Sequence, residues 1–174
     1  MKLDFTGRAL RAIGEAETSL ARARAQASPR RRALLRYHEH EEAVQRMIHA
    51  LEPDSYVRPH RHQDPDKVEV FLALRGSAWL CTFDGEGNPG EHLEIRAGGP
   101  CFGGEIAPRT WHSLLVLEPG TVLYEVLEGP FRADTHKDYA PWAPAEGTPE
   151  GLAYHRHLRS RLGLDPPVPE SAGP

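Results

Sequence analysis

Residues 56–75 read Tyr56-Val57-Arg58-Pro59-His60-Arg61-His62-Gln63-Asp64-Pro65-Asp66-Lys67-Val68-Glu69-Val70-Phe71-Leu72-Ala73-Leu74-Arg75. Two β-type runs lie on either side of a short polar loop. On an extended chain residues i and i+2 face the same side, so His60 and His62 project together. In the second run Glu69, Phe71 and Ala73 share one face, while Val68, Val70, Leu72 and Leu74 share the other. Both faces are apolar, which points Glu69 into a dry interior. A carboxylate there is costly unless it is paired or bound to a cation. An ion pair with Arg58 or Lys67 is the simpler alternative.

Outward from this stretch the chain keeps the same texture. Val68–Leu74, Ser77–Phe83, His92–Ile95, Cys101–Ile106, Ser113–Leu117 and Thr121–Glu128 are short β-forming runs. Turn signals separate them at Arg75-Gly76, Asp84-Gly85-Glu86-Gly87-Asn88, Ala97-Gly98-Gly99-Pro100 and Glu118-Pro119-Gly120. With no long helix between them, they imply a mainly β protein, a small antiparallel barrel or jelly roll. Ala43–Leu51 fits either a strand or a helix. Helical signals stand at both ends: residues 1–36 form a basic, helical N-terminal segment broken by Ser28-Pro29, and residues 148–163 form a C-terminal helix. In the latter Thr148 can cap, Pro149 suits the first turn, and Tyr154, Leu158 and Leu162 make the apolar stripe. The expected organisation is one domain over 1–164, with the barrel at 43–131 and a proline-rich tail at 165–174.

Composition narrows the function. The 174 residues include 39% hydrophobic and 26% charged side chains, and no apolar run is long enough for a transmembrane helix. No apolar signal-peptide core follows Met1, so a cytoplasmic protein is expected. Within the net charge of −4, residues 1–36 carry Lys2 and eight arginines against Asp4, Glu15 and Glu17. The remainder is strongly acidic, which argues against nucleic acid and leaves Arg30–Arg32 to pair with the acidic body or a second subunit. Two cysteines, Cys81 and Cys101, make no disulfide scaffold and mark no nucleophile.

Ten histidines include three His-x-His pairs. His155 and His157 fall in the C-terminal helix, where i and i+2 diverge, so both are expected at the solvated surface. His38 and His40 lie in an acidic segment and are expected no closer to a site than its periphery. His112, at the start of an apolar strand, joins His60, His62 and Glu69 to give three imidazoles and one carboxylate. A hydrogen-bonded core histidine is the alternative for His112 alone. The set of four suits one divalent first-row transition metal, such as zinc, iron, nickel or manganese, with coordination positions left open.

These residues resemble the cupin superfamily, and more closely its WbuC-type cupin-fold metalloproteins. His60-Arg61-His62, Glu69 and Gly76 are similar to the first cupin motif, and the turn before Trp111-His112 to the second. The WbuC-type likeness rests on Ser28-Pro29-Arg30-Arg31-Arg32, Val44-Gln45-Arg46-Met47, Ser55–His62, Thr110-Trp111-His112, Gly120–Glu125, Glu128-Gly129-Pro130-Phe131 and Tyr139–Pro144. The resemblance implies a barrel with flanking helices, a metal held inside it by His60, His62, Glu69 and His112, a homodimer, and a setting in surface-polysaccharide biosynthesis. Asp54 and Arg109 stand where cupins often have glycine, and six residues rather than three or four separate His62 from Glu69. Candidate catalytic groups are Glu125, as general base, with Tyr56 and Arg58. Gln45, Arg46, Arg58 and Trp111 are candidates to contact a polar or anionic small molecule. The expected chemistry is Lewis-acid isomerisation or epimerisation of a sugar-like substrate. Iron-dependent dioxygenation and metal-dependent sensing without turnover are the alternatives.

Overall fold

A computed structural model describes residues 1–164; the proline-rich tail read at 165–174 lies outside the described residues. In chain order the elements are α1 (Glu15–Ala27), β1 (Arg32–Arg36), β2 (Val44–Leu51), β3 (His60–Arg61), β4 (Glu69–Arg75), β5 (Ser77–Phe83), β6 (Pro89–Arg96), β7 (Gly103–Ile106), β8 (Trp111–Val116), β9 (Thr121–Glu128), β10 (Asp138–Tyr139) and α2 (Pro149–Arg161). The strands form two five-stranded antiparallel sheets, ordered β1-β2-β9-β4-β7 and β10-β3-β8-β5-β6. This is the jelly roll expected from the alternation of short strands and turns.

Three packed layers follow from strand parity. The inner faces of the two sheets meet in a core of Leu51, Phe71, Ala73, Ala78, Leu80, Ile95, Leu114, Val116 and Leu123. Ala21 and Ala25 of α1 cover the outer face of the first sheet over Leu35, Ile48, Ala50 and Val122. Leu158, Tyr154 and Leu162 of the C-terminal segment cover Cys81, Phe83 and Leu115 on the outer face of the second, with Trp79, Trp111 and Trp142 around them. The ambiguous stretch before Leu51 is a strand because β9 pairs along its whole length, from Val44↔Glu128 to Leu51↔Thr121.

Two helix boundaries are sharply set. Gly14 caps α1 and its N–H donates to Glu17 Oε2, so the chain before it is not helical and Leu10 is exposed. After Ser28-Pro29, Arg32–Arg36 is a strand antiparallel to β2 rather than a continuation of the helix. At α2 the Thr148 hydroxyl accepts from Gly151 N at 3.0 Å, with Pro149 in the first turn. Arg30 and Arg32 both reach Glu146, and Arg31 reaches Asp54, so the basic run is spent on the acidic body of the same chain.

Two turns position the site. Gly76 has φ +67, and a Cβ there would collide with Thr121 Oγ1, so the β4–β5 hairpin requires glycine. Arg109 takes the left-handed conformation (φ 63) that glycine would adopt without strain. Its N–H donates to His62 O at 3.0 Å and its guanidinium grips Asp66, which holds the turn before His112 against the loop after His62. Among the described residues no helix is long and apolar enough to cross a membrane.

Candidate metal centre

β3, β4 and β8 each deliver ligand-type side chains to one end of the barrel interior. His60 pairs with His112 across β3 and β8, and Glu69 opens β4 on the inner face of the other sheet. His60, His62, Glu69 and His112 are all 2–3% exposed. One nitrogen or oxygen from each lies within 4.8 Å of all the others. Val70, Leu72 and Leu74 face outward, and the latter two are exposed, so only one face of β4 is dry. Glu69 lies on that face. Neither Arg58 nor Lys67 pairs with it: Arg58 Nη2 donates to Ala140 O, and Lys67 Nζ to Pro130 O.

Hydrogen bonding fixes which nitrogen of each neutral ring carries the proton. The Nδ1 atoms contact backbone carbonyls: His60 with Arg58 O at 2.9 Å, His62 with His136 O at 2.6 Å and His112 with Thr110 O at 2.8 Å. A carbonyl only accepts, so each Nδ1 must carry the proton, and a neutral ring then presents an Nε2 lone pair. Burial pushes the His60 pKa well below its ordinary value, which favours that neutral form. The Nε2 atoms of all three rings and Glu69 Oε2 are buried without a hydrogen-bond partner. His112 Nε2 is 2.9 Å and His62 Nε2 3.5 Å from that oxygen. Lone pairs facing a carboxylate in a dry pocket repel unless a cation stands among them. The backbone bonds to Nδ1 are also the outer contacts that orient imidazole ligands on a metal. The residues present therefore fit a metal ion.

A second polar group occupies the same interior. β9 places Glu125 on the face of Leu123 and Leu127, opposite Phe71 of β4. Since Glu69 pairs with Leu127, Glu125 is its diagonal neighbour, about 7–8 Å away between Cα atoms by sheet geometry. His49 of β2 brings Nε2 to 2.6 Å from Glu125 Oε2. The stretch linking β9 and β10 closes over this end. Its His136 ring lies 5.4 Å from His62, and burial pushes the His136 pKa down to about 3. Lys137, next in sequence, is partly buried, and burial lowers its pKa too, with Glu69 and Glu125 acting on it electrostatically.

The other expected contact residues are placed differently. Tyr56 packs beneath α2, with its hydroxyl donating to Pro144 O. Arg58 lies over the Tyr139 ring, which itself is 6.2 Å from the His60 ring. Gln45 is buried, but its Nε2 faces the carbonyls of Glu39, His40 and Glu42. Arg46 projects to the outer face and pairs with Glu42, and Trp111 packs on the outer face under Arg61. Strand parity explains the last two, since each lies one residue from an inward-facing position. His155 corrects an expectation: it is 3% exposed, with Nε2 3.0 Å from Pro53 O, while His157 is exposed. α2 is covered on two sides, by the outer sheet face and by the Pro53–Tyr56 turn. Its buried arc is therefore wider than the Tyr154/Leu158/Leu162 stripe.

Comparison with known proteins matches residues 14–95, just under half of the chain, to a domain of unknown function, DUF6016. No curated protein matches. Among solved structures, an oxalate oxidase in complex with the substrate analogue glycolate is 13% identical, covering 80% of this chain and 69% of that one with a TM-score of 0.52. Oxalate decarboxylase from Bacillus subtilis is 19% identical over 72% of this chain and 29% of that one (TM-score 0.47). The capsular polysaccharide assembling protein CapF from Staphylococcus aureus is 15% identical over 61% and 31% (TM-score 0.49). The chain thus spans about a third of the length of the latter two. At these identities the likeness is one of fold, and the fold is that of the cupins.

Proposed function

We propose that the chain is a metal-dependent cupin enzyme, holding one divalent first-row transition metal on His60, His62, Glu69 and His112 and acting on a small polar molecule. The convergence of four buried, unpartnered ligand atoms on one point carries this proposal. A cation bound there supplies Lewis acidity toward a carbonyl or hydroxyl oxygen. Glu125, beside the cluster, takes a proton from the substrate at Oε2, and His49 Nε2, 2.6 Å away, stabilises or relays it. The strap carrying His136 limits water at this end. A carboxylate–imidazole pair next to a metal cluster favours proton-transfer chemistry, of the isomerase or epimerase kind, on a sugar-like substrate. Oxygen activation by iron and ligand binding without turnover are the competing outcomes.

The finer expectations from the WbuC-type resemblance belong to the same proposal: one domain over 1–164, a homodimer, a cytoplasmic location and a link to surface-polysaccharide biosynthesis. The test is turnover of a panel of sugar nucleotides by metal-loaded protein, with and without oxygen. Glu125→Gln is expected to retain the metal and lose about 10²–10⁴-fold in rate. Turnover that needs oxygen would replace isomerisation with dioxygenation, and no turnover with any metal would favour the sensor.

A further inference from the structure

We propose that Arg58 and Tyr139 form the substrate-binding edge of the metal centre, where the guanidinium receives an oxyanion, the carboxylate or phosphate group of a sugar-like molecule. The proposal rests on the metal-dependent reading above for where the reacting end of that molecule sits, and adds the substrate class to it.

Strand register places Tyr139. β10 pairs Tyr139 with His60, and β3 pairs His60 with His112. Residues directly opposite each other in an antiparallel pair share a face, so Tyr139 stands on the inner face in line with two of the ligands. The neighbouring positions show the opposite parity: Asp138 and Arg61 pair with each other, and Arg61 covers Trp111 on the outer face. β10 is the last strand of its sheet, and Tyr139 is 44% exposed where His60 is 3%. The Tyr139 ring, 6.2 Å from that of His60, therefore carries the inner face from the buried cluster out to solvent. Arg58 Cζ lies over the same ring, 5.0 Å from its centre.

Arg58 is the cation without a counter-ion at this edge. Its Nη2 donates to Ala140 O at 3.0 Å, and among the described residues its guanidinium has no other hydrogen bond and no ion pair. Glu146 does not serve it: one oxygen accepts from the Arg58 backbone N–H at 3.0 Å, and the other is taken by Arg30 and Arg32. Other arginines around this end are matched, Arg61 with Asp138 and Arg109 with Asp66. Arg58 Nε is buried with no acceptor. A guanidinium is always charged in proteins, so the unmet group does not depend on protonation. A buried N–H without an acceptor carries a free-energy cost that an oxyanion ligand removes. The planar fork of a guanidinium fits carboxylate or phosphate oxygens in pairs, and the Tyr139 ring offers a rigid wall to the carbon skeleton between that group and the metal.

The test is calorimetric titration of metal-loaded protein with D-glucuronate, D-glucose 6-phosphate and D-glucose, with elemental analysis of each sample. One or both anions are expected to bind at least about tenfold more tightly than glucose, and the tighter of the two identifies the group received. Arg58→Met is expected to keep its metal and lose that preference, with Arg58→Lys, which keeps the charge without the fork, recovering part of it. Since Arg58 also holds Ala140 O, Tyr139→Leu is the second variant: it alters an exposed side chain, and should weaken the anions about 2–10-fold at unchanged metal content. No binding of either anion, equal affinity for anions and glucose, or a preference that survives in Arg58→Met would overturn the proposal with the metal reading intact. Arg58-dependent anion binding by protein that takes up no metal would overturn the metal reading alone.

Discussion

The two ends of the barrel interior are built on the same strands and the same inward-facing positions, yet one is dry and the other polar. β4 runs from Glu69 to Phe71 and Ala73, β8 from His112 to Leu114 and Val116, and β9 from Leu123 to Glu125. At the dry end the side chains pack Leu on Val and Ile; at the other, three imidazoles and two carboxylates are buried close together. The hydrophobic effect accounts for the first end without further help. At the second, groups that resist burial are collected at one place. The dry end makes the fold, and it holds the polar end in a geometry that fits a cation.

Removing packing and removing ligands should therefore separate cleanly. Leu123→Ala, at the dry end, is expected to cost about 2–5 kcal/mol in denaturant unfolding, the same with metal or with chelator, while metal content is kept. Loss of metal on that substitution would show that the two ends are not independent. His112→Ala is expected to behave in the opposite way. In chelator it should not destabilise the fold, because it removes one of the repelling groups. With free metal at about 100 times the wild-type dissociation constant it should lack the ~2.7 kcal/mol of stability that binding adds to the wild type.

The remaining tests are smaller. Arg109→Gly relieves a left-handed backbone at the polar end and gives up an exposed ion pair with Asp66. Its expected effect is a gain of up to about 1 kcal/mol in stability with metal content unchanged. A large loss would mean that the Arg109–Asp66 contact, not the backbone, sets the turn. Outside the barrel, His155 is a buried histidine satisfied by an ordinary partner. Burial holds its folded pKa below the unfolded value, so its contribution is intact above about pH 6.5 and falls as the unfolded chain takes up a proton below that. His155→Gln, whose amide can still donate to Pro53 O, should flatten the decline of the unfolding midpoint between about pH 7 and 5. An unchanged decline would place the acid sensitivity elsewhere.

The same contrast explains what could be read from the chain alone. Period-two alternation reveals which residues share a face, and it placed His60, His62 and Glu69 together before any coordinates. It does not say which of the two faces points inward, so Arg46 and Trp111, each one residue from an inward-facing position, read as site contacts from the sequence. Glu125 was legible as a candidate because a carboxylate in an apolar strand is conspicuous. His49 was not, since its stretch fitted helix and strand equally well and its partner is 76 residues away in sequence. Arg109 looked like the weakest point of its motif, yet the turn survives with arginine in glycine's conformation.

The central claim is that the four unpartnered atoms exist to hold a cation. Elemental analysis of untagged protein, set beside a His60→Ala/His112→Ala double variant, tests it most directly. The expected result is about one equivalent of a first-row transition metal in the parent and none in the variant, with both folded by circular dichroism. No metal in the parent after reloading, or equal metal in both, would contradict it.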